Sequence, residues 1–300
     1  MSKLVWEKKF IMIMPRVSIV INCLNGEKYL RTAIDSIYSQ TYKNWDIIFW
    51  DNASTDSTAE IAKSYDSRLK YYCANSTSDL GIARVKASEQ ATGELLAFLD
   101  CDDVWHEKKL ATQVGIFCKS TQDIGLVYGR SQIIYDADCV NNKVLYGGKK
   151  LPEGSVFAEL TKNNFVTFSS VIVDRKKFLK CGGFPSHFKN STDYWIFLRM
   201  AKYYKFAAMQ EVCCSYRIHN SNLSASHKVL AVKESIETVS QFLPNKDASL
   251  GLRYQYLELA LMNCKEGKIF LAISIILKKN ISDLLVKWLW KRFRNYLNSI

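Results

Sequence analysis

The stretch from Leu95 to Trp105 reads LLAFLDCDDVW, an apolar run that ends in three aspartates within four positions, Asp100, Asp102 and Asp103. Carboxylates this close repel one another, so the pattern asks for a counter-charge. One aspartate after a strand can simply cap the next helix, a role open to Asp103. Asp100 and Asp102 together are better explained by a hard divalent cation, Mg²⁺ or Mn²⁺, bound through oxygen and completing its sphere with phosphate oxygens. Two other polar stretches carry candidate chemistry: DNASTDST at 51–58, which opens on Asp51, and STDYW at 191–195, where Asp193 stands at the start of a helical pattern.

Such groups act only if a scaffold brings them together. VSIVI (17–21) predicts a buried strand, the turn-like NCLNGE follows it, and Leu30, Ile34 and Ile37 then fall on one face of a helix over 28–38. WDIIFW (45–50) predicts a second strand, with helix-capping residues in DNASTDST and a helix through AEIAKSY. RLKYYC, GIARVKASEQA and LLAFL continue as strand, helix and strand. This alternation predicts an α/β fold whose mostly parallel sheet carries helices on both faces. Ligands of such sheets bind beyond the carboxyl ends of the strands, so Asn22 to Glu27, Asp51 to Asp56, Asn75 to Asp79 and Asp100 to Asp103 are expected to line a site. Further on, GLVYG (125–129) and SQIIYD (131–136) read as two strands around a turn, VTFSSVIV (166–173) as another strand, and 191–204 as an amphipathic helix. From 226 onward only helices are expected.

With 48% hydrophobic residues, 4 prolines and 13 glycines in 300 positions, disordered, collagen-like and solenoid readings fall away. The nine cysteines are odd in number and scattered, which speaks against a disulfide framework or a structural zinc site and for a reducing cytoplasm. KKFIMIM near the N-terminus is too short for a signal peptide or a membrane span, so export by that route is not expected. The net charge of +12 is uneven: residues 265–300 hold eight Lys and Arg against Glu266 and Asp283, half of the excess. Nucleic acid, anionic lipid and plain solubility each account for such charge. No RNA-stacking motif interleaves with it, and an acidic metal site sits poorly in a phosphate-backbone groove, so nucleic acid is not an expected partner.

Taken in order, VSIVINCLNGEKYL (17–30), WDIIFWDNASTDST (45–58), GIARVKASEQATGELLAFLDCDD (81–103), STDYWIFLRM (191–200) and YRIHNSNLS (216–224) resemble the family 2 glycosyltransferases of the GT-A fold. The resemblance covers about residues 15–225 and implies a catalytic domain over 1–225. Within it, about 15–105 would bind a nucleotide-sugar donor and 106–225 an acceptor, with a helical, basic region at 226–300. It implies that Asn22, Cys23, Asn25 and Glu27 line the nucleotide and that Asp51 accepts a hydrogen bond from its base, most often uracil. Arg84 would approach the base or phosphates. Asp100 and Cys101 would face the ribose side, Asp102 and Asp100 would hold Mn²⁺ or Mg²⁺, and His219 would contact the diphosphate or the metal. Asp193 would be the general base of a single inverting displacement, with the acceptor a hydroxyl of a saccharide or lipid-linked saccharide in cell-surface glycan synthesis. The chain departs from the family pattern at Asn22-Cys23-Leu24-Asn25, where a Pro-Thr/Tyr-Tyr-Asn loop is usual, at Val85 in place of Asn, and at Thr192 in place of Glu.

Other readings remain at this stage. LDCDDV also fits the haloacid dehalogenase-type phosphatases, with Asp100 as nucleophile, although three βα units precede it here. A nucleotidylyltransferase shares a similar fold but would need a G-x-G-x-R loop that is absent, and a non-enzymatic basic module rests on charge alone. In DLLVKWLWKRFRNYLNSI (283–300), Leu285, Leu289, Phe293, Tyr296 and Ile300 share one helical face and Lys287, Lys291 and Arg294 another, with Trp288 and Trp290 suited to a headgroup boundary. That pattern predicts contact with an anionic membrane surface, hence a cytoplasmic protein held at the inner face; the alternative is a helix packed on the catalytic domain.

Overall fold

The computed structural model describes residues 14–135, 140–220, 222 and 227–297, with 140–142 and 291–297 in backbone only. The apolar run over 8–13, part of the 216–224 segment and the side chains beyond Trp290 lie outside the described residues. Four strands, β1 (Val17–Cys23), β2 (Trp45–Asp51), β3 (Leu69–Cys73) and β4 (Leu95–Phe98), pair in parallel in the order β3-β2-β1-β4. Helices α1 (Glu27–Tyr38), α2 (Thr58–Lys63) and α3 (Leu80–Glu89) make the crossovers. The central strands are apolar on both faces: Val20, Ile48 and Phe98 pack into one core, while Ile19, Ile21, Ile47 and Phe49 pack into the core on the other side. That two-sided burial is why these strands read as unbroken apolar runs.

Beyond β4 the sheet becomes mixed. It continues through β8 (Ile172–Asp174), β6 (Ile124–Tyr135), β9 (Lys205–Ile218) and the short β5 (Val104–Trp105), with β7 (Val140–Val144) paired to β6. Two expectations are corrected here. The segments at 125–129 and 131–136 form one strand through Tyr135 and not two around a turn. Gly129 is needed for close approach, since a Cβ there would lie 2.6 Å from Cys213 Sγ on β9. VTFSSVIV is a strand only from Ile172; Phe168–Ser170 is a 3₁₀ turn in which Ser170 Oγ donates to the Thr167 carbonyl at 2.7 Å. Local side-chain bonding of this kind competes with strand pairing.

The remaining helices are α4 (Lys109–Lys119), α5 (Phe157–Lys162), α6 (Arg175–Lys180), α7 (Thr192–Tyr203), α8 (Lys228–Ser240), α9 (Lys246–Lys265), α10 (Ile269–Lys278) and α11 (Ser282–Leu297). Val239 of α8 and Ala248 and Leu252 of α9 share the core of Leu160 and Phe197, so α8 and α9 are packed onto α5 and α7. At Gly251 a Cβ would fall 2.4 Å from that of Thr161, which lets α9 lie close against α5. The last two helices attach through a smaller cluster of Leu257, Ile281 and Leu284, with Leu285 and Trp288 packed against it. Of the face expected to meet a membrane, Leu285 therefore turns inward while Leu289 stays exposed, as do Val286 and Trp290.

Candidate active site

The carboxyl ends of β1, β2 and β4 meet at one cleft. The loop after β1 is bound to the loop after β2 by reciprocal contacts: Asn25 Oδ1 accepts from the Thr55 backbone N–H at 2.9 Å, and the Asn25 N–H donates to Ser54 Oγ at 2.9 Å. Glu27 Oε2 accepts from the Ser57 N–H and Asp56 Oδ2 accepts from the Glu27 N–H, both at 3.0 Å. Asn25 and Glu27 thus fix the shape of this edge through the facing loop, and Asn25 adopts a positive φ of 54° that asparagine tolerates. Asp51 is 1% exposed, and its carboxylate accepts from the Tyr71 hydroxyl at 2.6 Å and the Ser54 N–H at 2.7 Å. Asn22 Nδ2 is buried with no hydrogen-bond partner among the described residues, an orphan donor at the strand end. Beneath the loop, a hydrogen bond with the Cys23 thiol, and then burial, push the Cys101 thiol well above its usual range. Leu24, where the family pattern has an aromatic residue, is exposed.

Arg84 joins the two sides of the cleft. It is buried, not a solvated helix charge: its guanidinium stacks 3.7 Å over the Phe168 ring, donates to Thr192 Oγ1 at 2.6 Å and pairs with Asp100 Oδ1 at 3.1 Å. Thr192 thereby supplies a neutral acceptor where the pattern has a glutamate. Arg84 Nε has no partner among the described residues. Asp100 sits deep in the cleft although 37% of its side-chain surface is open to solvent. Desolvation pushes its carboxyl up to about 6 against the pull of Arg84, helped by the charges of Asp102 and Asp193. Asp102 accepts from Asn222 Nδ2 at 3.2 Å and lies 2.8 Å from His219 Nε2. Asp103 takes a different role from its neighbours: buried, it accepts from Ser169 Oγ at 2.6 Å and the Arg217 N–H at 2.9 Å, which ties β9 to the acidic loop.

Asp193 lies in the first turn of α7, where its carboxyl accepts from Asn164 Nδ2 at 3.3 Å. Burial raises its pKa, with Arg84 pulling the other way. A partly buried carboxyl with an elevated pKa suits proton abstraction. The helix start is held by Glu234 of α8, which is 6% exposed and accepts from the N–H groups of Lys189, Asn190 and Ser191 at 2.7, 3.1 and 2.6 Å. Sequence reasoning missed Glu234, Ser169 and Asn164. Glu234 is one acidic residue in a helix 41 positions from Asp193, and Ser169 was hidden in a β-branched run. The structure gathers Asp100, Asp102, Arg84, Asp193 and His219 into this cleft, with Asn25 and Glu27 at its loop edge.

A parallel βα half with carboxylates at its strand ends, completed by a mixed half that carries a buried acid, is the GT-A type of nucleotide-diphospho-sugar transferase fold. Among solved structures, the mannosyltransferase PcManGT from Pyrobaculum calidifontis, in complex with GDP-Man and Mn²⁺, matches with a TM-score of 0.63 at 17% identity over 95% of this chain and 84% of that one. Residues 18–144 match the family described as Glycosyl transferase family 2. The UDP-Glc:alpha-D-GlcNAc-diphosphoundecaprenol beta-1,3-glucosyltransferase WfgD of Escherichia coli is 29% identical over 84% of this chain and 98% of its own length. WfaP of the same organism, described in the same words, is 30% identical over 74% of this chain and 85% of its own. The chain belongs to glycosyl transferase family 2 and is a glycosyltransferase.

Proposed function

We propose that the chain moves a sugar, with inversion, from a UDP-sugar to a hydroxyl of a lipid-linked saccharide in cell-surface polysaccharide synthesis. The observation that carries this reading is Arg84, which bridges Asp100 on the donor side to Thr192, the neighbour of Asp193. WfgD and WfaP, named for UDP-Glc and a diphosphoundecaprenol-linked acceptor, support the choice of donor and acceptor class.

In the proposed reaction Asp193 takes the proton of the acceptor hydroxyl as that oxygen attacks the anomeric carbon, and Asn164 holds the carboxylate in place. Arg84 steadies Asp100 through its 3.1 Å ion pair. The donor set suits a divalent cation: the Asp100 and Asp102 carboxylates share one loop with Arg84 as the paired cation, and burial first, with the charges of Asp102 and Asp193 added, pushes the Asp100 carboxyl up to about 6 against the pull of Arg84. Among the described residues no three His, Cys, Asp or Glu side chains are placed to hold a metal ion together, so Asp102 and Asp100 would have to share Mn²⁺ or Mg²⁺ with the donor diphosphate, with His219 beside Asp102 at 2.8 Å. Such an ion, when bound, supplies charge stabilisation to the leaving nucleoside diphosphate. A thermal-shift titration tests the donor and the metal. UDP should stabilise the protein according to RT ln(1 + [L]/Kd), more with Mn²⁺ than without, and Asp102→Asn should remove the Mn²⁺-dependent part. Equal stabilisation of the variant by UDP with Mn²⁺ would overturn the metal assignment.

Peripheral attachment to the inner face of a membrane belongs to the same reading. No helix among the described residues is long and apolar enough to cross a membrane. On α10, Phe270 is 91% and Leu277 71% exposed, and Val286, Leu289 and Trp290 of α11 are exposed too, with Lys268, Lys278, Lys279 and Lys287 nearby in sequence. Each lysine close to an anionic leaflet contributes roughly 1 kcal/mol. Sedimentation with anionic liposomes should retain the wild type at low salt and release Phe270→Glu/Leu277→Glu. Retention of both alike would leave these residues without that role.

A further inference from the structure

Next to Asp193, on the far side of Asn164, lies a cavity of about 790 Å³ walled by the end of α5, by α8 and α9, and by α11. Its polar end adjoins the candidate base: Asn164, which donates to Asp193, lines it, and so does Tyr146, whose hydroxyl donates to the Asn164 carbonyl at 2.7 Å. The lining also holds Leu261 and Met262 of α9 and Leu284 and Trp288 of α11, of which Leu261, Leu284 and Trp288 pack in one apolar cluster. Lys162, Lys228 and Lys287 line it too, and among the described residues Glu258 is the one carboxylate in the lining. None of the three lysines has an ion-pair partner among the described residues. The wall is rigidly set, since Gln255 Nε2 donates to the Thr161 carbonyl at 3.1 Å and fixes the end of α5, hence Lys162, against α9.

Hydroxyl-binding groups beside the base, three lysines without ion-pair partners and an aliphatic and indole surface in one cavity match the chemistry of one class of molecule: a saccharide joined through an anionic phosphate linkage to a hydrocarbon chain. A free polysaccharide would leave the lysines unpaired and the apolar end wet, at a cost in desolvation without compensation. We infer that this groove is the acceptor subsite for a prenyl diphosphate-linked saccharide, with the lysines on the diphosphate and Leu261, Met262, Leu284 and Trp288 around the first part of the chain. The inference rests on the lipid-linked acceptor proposed above and adds where and by which residues it is held. It also gives α9 and α11, which lie beyond the stretch that matches the family, a part in acceptor choice.

The test uses full-length protein saturated with UDP and Mn²⁺, so that the donor's own diphosphate site is filled, and titrates it calorimetrically with farnesyl diphosphate, inorganic diphosphate and farnesol. Farnesyl diphosphate should bind at least about tenfold more tightly than either fragment, because both ends of the groove contribute. Lys162→Ala/Lys228→Ala should weaken it by about tenfold or more, as expected for lost charge-assisted contacts, and Met262→Glu should weaken it at least as much. UDP affinity, read on each variant, reports that the fold is kept. With a prenyl diphosphate-linked N-acetylglucosamine as acceptor, the lysine variants should raise the acceptor KM and leave the donor KM unchanged. Inorganic diphosphate binding as tightly as farnesyl diphosphate, or lysine variants that keep full affinity, would overturn the groove. A wild type that binds UDP but not farnesyl diphosphate defeats the groove alone; one that binds no UDP defeats the donor reading.

Discussion

At the edge proposed for the donor, the β1 and β2 loops bind each other: Asn25 holds Thr55, Glu27 holds Ser57, and Asp51 holds Tyr71 and Ser54. On the side proposed for the acceptor, Lys162, Lys228 and Lys287 line a cavity with no counter-ion among the described residues, and the helix that carries Asp193 is fixed by Glu234, a residue on a separate helix. The donor side is preorganised by short-range bonds within two consecutive βα units. The acceptor side is assembled by long-range packing and keeps charge unspent for a ligand. On the proposed reading the difference teaches that the nucleotide would be met by a self-contained local motif, and the acceptor by a surface that only the later helices complete.

The largest effect expected on this contrast comes from Asp193→Asn, which keeps the shape and cannot take the proton. Transfer should fall by about 10²–10⁴-fold with UDP affinity near that of the wild type, measured by UDP release in the presence of acceptor. Loss of UDP binding would instead make Asp193 a part of the donor side. Next in size, Glu234→Ala leaves three backbone N–H groups without their acceptor, at about 1–3 kcal/mol for a buried unsatisfied group. Its melting temperature should drop and kcat should fall about tenfold while the donor KM holds, and Glu234→Gln should restore much of both. A donor KM that rises in step would show that Glu234 supports the whole domain and not the acceptor side.

The pH dependence is smaller and belongs to the donor side. Burial raises the Asp100 carboxyl from its ordinary 3.8 to about 6 in the folded protein, so the unfolded chain gives up this proton first. The contribution to stability is full below the ordinary value and is lost as pH rises through about 6. Asp100→Asn, which has no proton to lose, should therefore gain in melting temperature relative to the wild type across that window when no metal or UDP is present. Metal-dependent UDP binding by the wild type should weaken as pH falls through the same window. A difference that stays flat with pH would remove Asp100 from the titrating groups. The smallest effect is expected of Asn25→Ala, which deletes one loop contact worth about 1 kcal/mol and should weaken UDP binding a few-fold with kcat unchanged.

The amino-acid sequence by itself determined the donor half. Four apolar strand runs, three crossover helices and the polar residues at each strand end follow from periodicity within short windows, and they place Asp51, Asp100 and Asp102 at one edge. The order of motifs also singled out Arg84, Asp193 and His219. What the tertiary structure alone decided is which of these meet and what they meet. Gly129 reads as a turn until β9 is seen against it, and VTFSSVIV reads as a strand until Ser169 is seen bonded to Asp103. Glu234 is an ordinary helical acid until α8 lies under the start of α7, and Asp103 reads as a helix cap until Arg217 reaches it. Strand and helix patterns are written in neighbouring residues because backbone hydrogen bonding and side-chain periodicity are local. Contacts between residues 43 or more positions apart depend on how whole elements pack, and a linear pattern carries no local signal of that.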